Sequence, residues 1–180
     1  TNDDGGTTTE SAFTLSATGS TAANSLTGTT PVDSGAALRA DTWTLSETSM
    51  YGYTPSAWDC VGGTQSGDRI ALGVGEEATC TITNTDQPAR LTLVKVVNNG
   101  TTGGTGTPAN WTLTATGPAT VTGPGNSAAV TNQTVPAGSY TLLESGGLPG
   151  YTASDWTCTG GALVAGAVTV PNGGNVTCTI

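Results

Sequence analysis

The chain has 180 residues, a formal net charge of -9, only 9% charged side chains, 27 glycines and no histidine. Four Lys plus Arg cannot neutralise a phosphate backbone or an anionic bilayer surface, which argues against nucleic acid and membrane partners. The missing histidine removes the commonest general base and metal ligand, so neither enzymatic turnover, a cofactor nor a resident metal is expected.

In chain order, residues 1–9 (TNDDGGTTT) read as a loop, whose Asp3 and Asp4 form a solvated turn more readily than a calcium site. Residues 13–18 alternate as a strand with Phe13, Leu15 and Ala17 on one face. Residues 20–41 are rich in Gly, Thr and Ala and predict short strands and loops. The next strand, 43–47 (WTLSE), places Trp43, Leu45 and Glu47 together and Thr44 and Ser46 opposite, and a turn at 51–53 follows. Strands are then expected at 58–60, at 70–74, and at 78–84 (ATCTITN), where Ala78, Cys80, Ile82 and Asn84 share a face. Residues 85–90 read as a short linker. Residues 91–97 (LTLVKVV) predict a strand, and residues 140–151 (YTLLESGGLPGY) repeat the earlier arrangement, with Tyr140, Leu142 and Glu144 on one face. A carboxylate on an apolar face is costly unless paired or hydrogen-bonded, and here it occurs twice.

An internal repeat organises these segments. Phe13 and Trp111, Tyr53 and Tyr151, Trp58 and Trp156, Cys60 and Cys158, Cys80 and Cys178, and Ile82 and Ile180 are each 98 positions apart. That period is a domain rather than a solenoid unit. The expected architecture is all-β, two tandem Ig-like sandwiches over 1–86 and 87–180. Both members of Cys60/Cys80 and of Cys158/Cys178 are twenty positions apart. These are the preferred disulfide pairs in an oxidising, extracellular setting, although four cysteines admit three pairings. The first repeat has no segment answering 91–97, and the second stops before a residue answering Asn84. Two expectations follow: a window of a longer array, or a subunit whose missing strand is donated by another copy. No leader segment is recognisable and no apolar run is long enough to span a bilayer.

A tandem β domain with Lys95 in LTLVKVV, the segments YTLLESGGLPGY and WTLSETSMYGY, and Asn84 in CTITN resembles the CnaB/SpaA-type, prealbumin-like domains of Gram-positive surface proteins and pilins. The resemblance implies a spontaneous amide bond between a lysine and an asparagine, promoted by a buried carboxyl. Lys95 would be the amine, Glu47 and Glu144 the assisting carboxyls, and Asn84 the amide. Desolvation lets an amine and a carboxylate exchange a proton, leaving a neutral nucleophile beside the amide carbonyl. Each set is incomplete within one repeat, and Lys95 and Asn84, lying in successive repeats, are not expected to meet.

Asn99, Asn110, Asn132 and Asn175 match the N-glycosylation acceptor pattern, which arises easily in a threonine-rich chain. Trp58 and Trp156 are expected to pack on the disulfides. The outward rows Thr79, Thr81, Thr83 and Thr112, Thr114, Thr116 are read as soluble β surface, with O-linked sugar, ice or glycan binding as lesser readings. The function expected is an extracellular stalk or fibre of a bacterial surface protein, its partners other copies or adjacent repeats. The alternative is an adhesin for glycan or ice.

Overall fold

The computed structural model describes residues 1–21 and 24–180; the loop expectation for 22–23 lies outside them. The chain is all-β and forms two compact units: Thr1–Asn2 with Thr7–Thr85, and Asp3–Gly6 with Asp86–Ile180.

In the first unit the strands are β1 (Thr14–Thr18), β2 (Ser25–Thr29), β3 (Asp41–Glu47), β4 (Tyr53–Pro55), β5 (Asp59–Val61), β6 (Thr64–Ser66), β7 (Arg69–Leu72), β8 (Thr79–Thr81) and β9 (Asn84–Asp86), the last ending at the unit boundary. One sheet has the order β2-β1-β3-β7-β6, while β4 pairs with β9 and β5 with β8. Alternation decides what is buried: Trp43 and Leu45 of β3 point inward with Ile70 of β7, and Thr42 and Ser46 are exposed. Trp58, Cys60, Leu72, Ala78 and Cys80 pack on this cluster but remain only partly buried.

The second unit carries β10 (Ala89–Val94), β11 (Trp111–Thr116), β12 (Thr120–Pro124), β13 (Gln133–Val135), β14 (Gly138–Gly146), β15 (Thr157–Thr159), β16 (Ala162–Val164), β17 (Ala167–Val170) and β18 (Asn175–Thr179). They form two sheets, β13-β10-β18-β15 and β12-β11-β14-β17-β16. Between the sheets, Ala89, Leu91 and Leu93 of β10 meet Leu113, Ala115, Tyr140, Val168 and Cys178, all fully enclosed. Strand β10 runs parallel to β18, with Leu91 opposite Val176 and Leu93 opposite Cys178.

This pairing explains why equivalent positions differ between the units. Cys178 and Ile180 are buried beneath β10, whereas Cys80 and Ile82 are half-buried. Among the described residues, β8 is paired on one edge only, by β5.

The expected linker at 85–90 is a correction. Asn84–Asp86 and Ala89–Val94 are strands, leaving Gln87 and Pro88 as the connection. The physical reason is burial: Asp86 and Ala89 are both wholly enclosed, and backbone held that far from water is paired into structure. The expected strand at 78–84 is split into β8 and β9, although the alternation of half-buried Ala78, Cys80, Ile82 and Asn84 with exposed threonines persists through it.

Candidate functional site: two buried carboxyls and their partners

In the second unit β14 carries Tyr140, Leu142 and Glu144 inward, and Glu144 lies opposite Leu113 of β11. Lys95 follows directly on β10. Its Nζ lies 2.6 Å from Glu144 Oε2, with both side chains more than nine-tenths buried, at 7% and 9% exposure. The ammonium also sits 4.8 Å from the centre of the Trp111 ring, where the negative face of the π system favours a cation. The pair is therefore charge-compensated and almost dry, which is the condition under which a buried charge is tolerated.

The main chain of Lys95 is fixed as tightly as its side chain. Asn126 Oδ1 accepts the Lys95 N–H at 2.8 Å and Asn126 Nδ2 donates to the Lys95 carbonyl at 3.0 Å. One side chain thus stands in for a neighbouring strand. Asn126 does so from the left-handed region, at φ 61°, which asparagine tolerates better than most residues. The preceding Gly125 is required by close approach: a Cβ there would meet the Pro108 carbonyl oxygen at 2.5 Å and Lys95 Cβ at 2.7 Å.

In the first unit β3 presents Glu47 at the position equivalent to Glu144. Its partner is Asn84 at the start of β9, whose Nδ2 donates to Glu47 Oε1 at 2.7 Å. The two units thus display complementary pairs, amine with carboxyl in one and carboxamide with carboxyl in the other. Lys95 and Glu144 come together, Glu47 and Asn84 come together, and the two pairs belong to different units.

Each pair adjoins a tyrosine anchor. Tyr151 Oη donates to Asn99 Oδ1 at 2.5 Å and accepts the Gly106 N–H at 2.8 Å, while its ring meets Trp111 edge-on at 5.2 Å. In the first unit Tyr53 Oη donates to Asn2 Oδ1 at 2.6 Å, accepts the Thr8 N–H at 3.0 Å and meets Phe13 edge-on at 5.7 Å. The Asn99 amide nitrogen is also engaged, donating to the Gly106 carbonyl at 3.1 Å, so among the glycosylation matches Asn99 is committed to structure.

Disulfides join Cys60 to Cys80 and Cys158 to Cys178, across strands in which the paired cysteines lie directly opposite. Trp58 and Trp156 lie among the partly buried residues packed on the respective cores.

Asp86, at the start of the second unit, is a third buried carboxylate. It accepts the N–H groups of Asp3 at 3.0 Å and of Asp4 and Gly6 at 2.8 Å each. Burial pushes its pKa upward, but these backbone donors and the Asp3 side chain outweigh burial and hold it below the ordinary aspartate value. Asp4 is shifted the other way, first by burial and then by the charges of Asp86 and Asp3. The sequence marks Asp3 and Asp4 as acidic loop residues; what it does not reveal is that their backbone N–H groups serve Asp86. Asn126 was missed altogether. Its only signal is the Pro-Gly-Asn turn at 124–126, which predicts a bend but not where the amide points.

No helix among the described residues is long and apolar enough to cross a membrane. Neither a curated protein nor a solved structure gives a significant match. The family model for the SpaA-type prealbumin-like fold domain matches residues 1–82 and again 86–180, and with that duplicated match, the tandem β units and the paired carboxyls, the chain belongs to the SpaA-type prealbumin-like fold domain family.

Proposed function

We propose that this chain is an extracellular structural element, part of a stalk or pilus-like fibre on a bacterial surface, working beside adjacent repeats or other copies. The observation that carries this reading is the cross-strand disulfide found at the same place in both units, on a family match that covers each unit separately. Cross-strand ties suit a module that bears load in an oxidising setting. Assembly by strand donation between copies belongs to the same reading.

The reading includes covalent self-crosslinking. A lysine amine attacks the asparagine Cγ, the new C–N bond forms as the Cγ–Nδ2 bond breaks, and one ammonia leaves with the protons the amine gives up. The assisting carboxyl first takes a proton from the amine and then passes one to the departing nitrogen. Two halves of this sequence are represented: Glu144 in contact with an amine and Glu47 in contact with a carboxamide nitrogen. Lys95 then serves as amine, Glu144 and Glu47 as assisting carboxyls and Asn84 as amide, each completed by a partner from an adjoining repeat or copy. Mass spectrometry of a chain carrying complete repeats tests this step, with a deficit of one ammonia per completed unit expected. An unchanged mass refutes the crosslink and leaves the disulfide-tied stalk standing.

For the stalk itself, single-molecule extension is the test. Each disulfide closes a separation of twenty residues, so reduction should lengthen each unit's unfolding step by roughly 70 Å, at the full reach of an extended chain. The adhesin alternative draws on the outward threonine face of β11 and β12, where Thr114 and Thr122 share a hydroxyl hydrogen bond at 2.8 Å. Saturable binding on a glycan array, or ice affinity, would favour that alternative.

A further inference from the structure

We propose that the tip of the loop at residues 100–105 is a carboxylate-binding site, in which the backbone N–H groups of Thr101, Thr102 and Gly104 receive one carboxylate of the kind an aspartate side chain presents. The assignment goes beyond the stalk reading and stands on loop geometry alone, so its failure leaves that reading untouched.

The loop is built twice in the chain, and both copies are closed by the same three bonds. Tyr151 Oη donates to Asn99 Oδ1 at 2.5 Å, the Gly106 N–H donates to Tyr151 Oη at 2.8 Å, and Asn99 Nδ2 donates to the Gly106 carbonyl at 3.1 Å. Tyr53 Oη donates to Asn2 Oδ1 at 2.6 Å, the Thr8 N–H donates to Tyr53 Oη at 3.0 Å, and Asn2 Nδ2 donates to the Thr8 carbonyl at 3.1 Å. Between these closures run residues 3–7 (DDGGT) in one copy and 100–105 (GTTGGT) in the other. Thr101, Thr102, Gly103 and Gly104 therefore answer Asp3, Asp4, Gly5 and Gly6, with Gly100, at φ 57°, taking up the extra residue. Gly5 and Gly103 share a left-handed backbone, at φ 87° and 86°, which favours glycine.

The first of these loops has its ligand in place. The N–H groups of Asp3, Asp4 and Gly6 converge on the Asp86 carboxylate at 3.0, 2.8 and 2.8 Å, and backbone N–H groups turned toward one point make a concavity for an anion. In the second loop the three matching N–H groups make no hydrogen bond to the protein among the described residues, and Thr101, Thr102 and Gly104 are exposed. A Cβ at Gly5 would meet the Ala137 carbonyl oxygen at 2.5 Å, whereas one at Gly103 would meet nothing within 4 Å, so this second tip stands open. The residues that differ also favour an anion. Asp4 is pushed above its ordinary value by burial and then by the charges of Asp86 and Asp3, so the first loop receives its carboxylate against repulsion. Thr101 and Thr102 carry no charge and bring hydroxyl donors instead. A carboxylate is the group such a cradle holds best, because each N–H bond to it is charge-assisted.

The test is an amide NMR titration of the full chain with three probes: the end-blocked peptide TDQPA, which is the sequence of residues 85–89 around Asp86, the same peptide with asparagine for aspartate, and acetate. The aspartate peptide should move the Thr101, Thr102 and Gly104 amide signals downfield to saturation, and the asparagine peptide should bind roughly tenfold more weakly or less, having lost the charge. The amides of Asp3, Asp4 and Gly6 should stay still, since Asp86 already fills their loop. Acetate binding as tightly as the aspartate peptide names a free carboxylate as the ligand; tighter binding of the peptide names a polypeptide side chain. Gly103→Val should abolish the response, because a β-branched residue resists the φ of 86°, while unmoved amides of β18 show that the unit is still folded. The proposal is overturned if neither the aspartate peptide nor acetate gives saturable movement in the parent chain, if the asparagine peptide binds equally well, or if Gly103→Val responds as the parent does.

Discussion

Lys95 and Glu144 form an ion pair at 2.6 Å, with both side chains more than nine-tenths buried. Such a pair makes the fold depend on both members together. Breaking a buried pair strands one charge and costs about 3–5 kcal/mol, whereas replacing both with apolar groups of similar volume is often neutral or stabilising. Lys95→Ala should therefore destabilise the second unit by about that amount in urea unfolding, and the double variant Lys95→Met with Glu144→Leu should recover most of it. A single variant as stable as the parent would show that the pair is not load-sharing.

Asn126 makes a different kind of prediction. Asn126→Ala removes both amide bonds to the Lys95 main chain, leaving a part-buried N–H without its acceptor at a cost of roughly 1–3 kcal/mol. It also forces alanine into a left-handed backbone. Asn126→Gly loses the same bonds but suits the φ of 61°, so the difference between the two variants separates backbone preference from hydrogen bonding. Thermal unfolding of both, followed by circular dichroism, measures it.

The Asp86 carboxylate gives a pH dependence of defined sign. Its pKa lies below the ordinary value of 3.8 in the folded chain, so the unfolded state binds the proton more readily. The stabilisation is present in full above the unfolded value and disappears as pH falls through the folded one. Acid unfolding of the second unit should begin below about pH 4. Asp86→Asn should flatten that limb while lowering stability at neutral pH, because an amide cannot accept three backbone N–H groups as a carboxylate does.

The two disulfides should respond unequally to reductant. Cys178 is fully buried, whereas Cys80 is half-buried, and exchange with an external thiolate requires access to sulfur. Mild dithiothreitol followed by alkylation and peptide mapping should label Cys60 and Cys80 before Cys158 and Cys178. Replacing Cys158 and Cys178 together with alanine should cost the second unit about 2–5 kcal/mol.

Much of the fold was legible because its information is local. The alternation in WTLSE and YTLLE assigns Trp43, Leu45, Tyr140 and Leu142 to the interior by period alone, and the 98-residue spacing of tryptophans, tyrosines and cysteines reveals the duplication without any contact being known. The carboxyl site was half legible. Glu47 and Glu144 stand out as charges on apolar faces, but which group each one meets depends on β9 and β10, brought to them from distant parts of the chain. The segment 85–90 was misread because its proline and polar residues suggest a linker, while the backbone pairing that makes strands of its ends is non-local. Asn126, in a turn, and Asp86, at the end of β9, were invisible for a related reason: a short polar side chain looks alike in the sequence whether it faces water or accepts backbone N–H groups from elsewhere.

The disulfides have a further consequence for a chain that is pulled and released. Each closed ring contains strands of two different sheets of its unit: between Cys60 and Cys80 run β6 and β7 of the five-stranded sheet, flanked by β5 and β8, which pair with each other. When tension peels the outer strands away, this ring cannot be drawn out straight, and it carries a hairpin from one layer already leashed to the other. On release, the chain starts its search from a short tether instead of a long one, and short tethers close at smaller entropic cost. A domain built this way is suited to recoil after repeated stretching as well as to resisting the first pull.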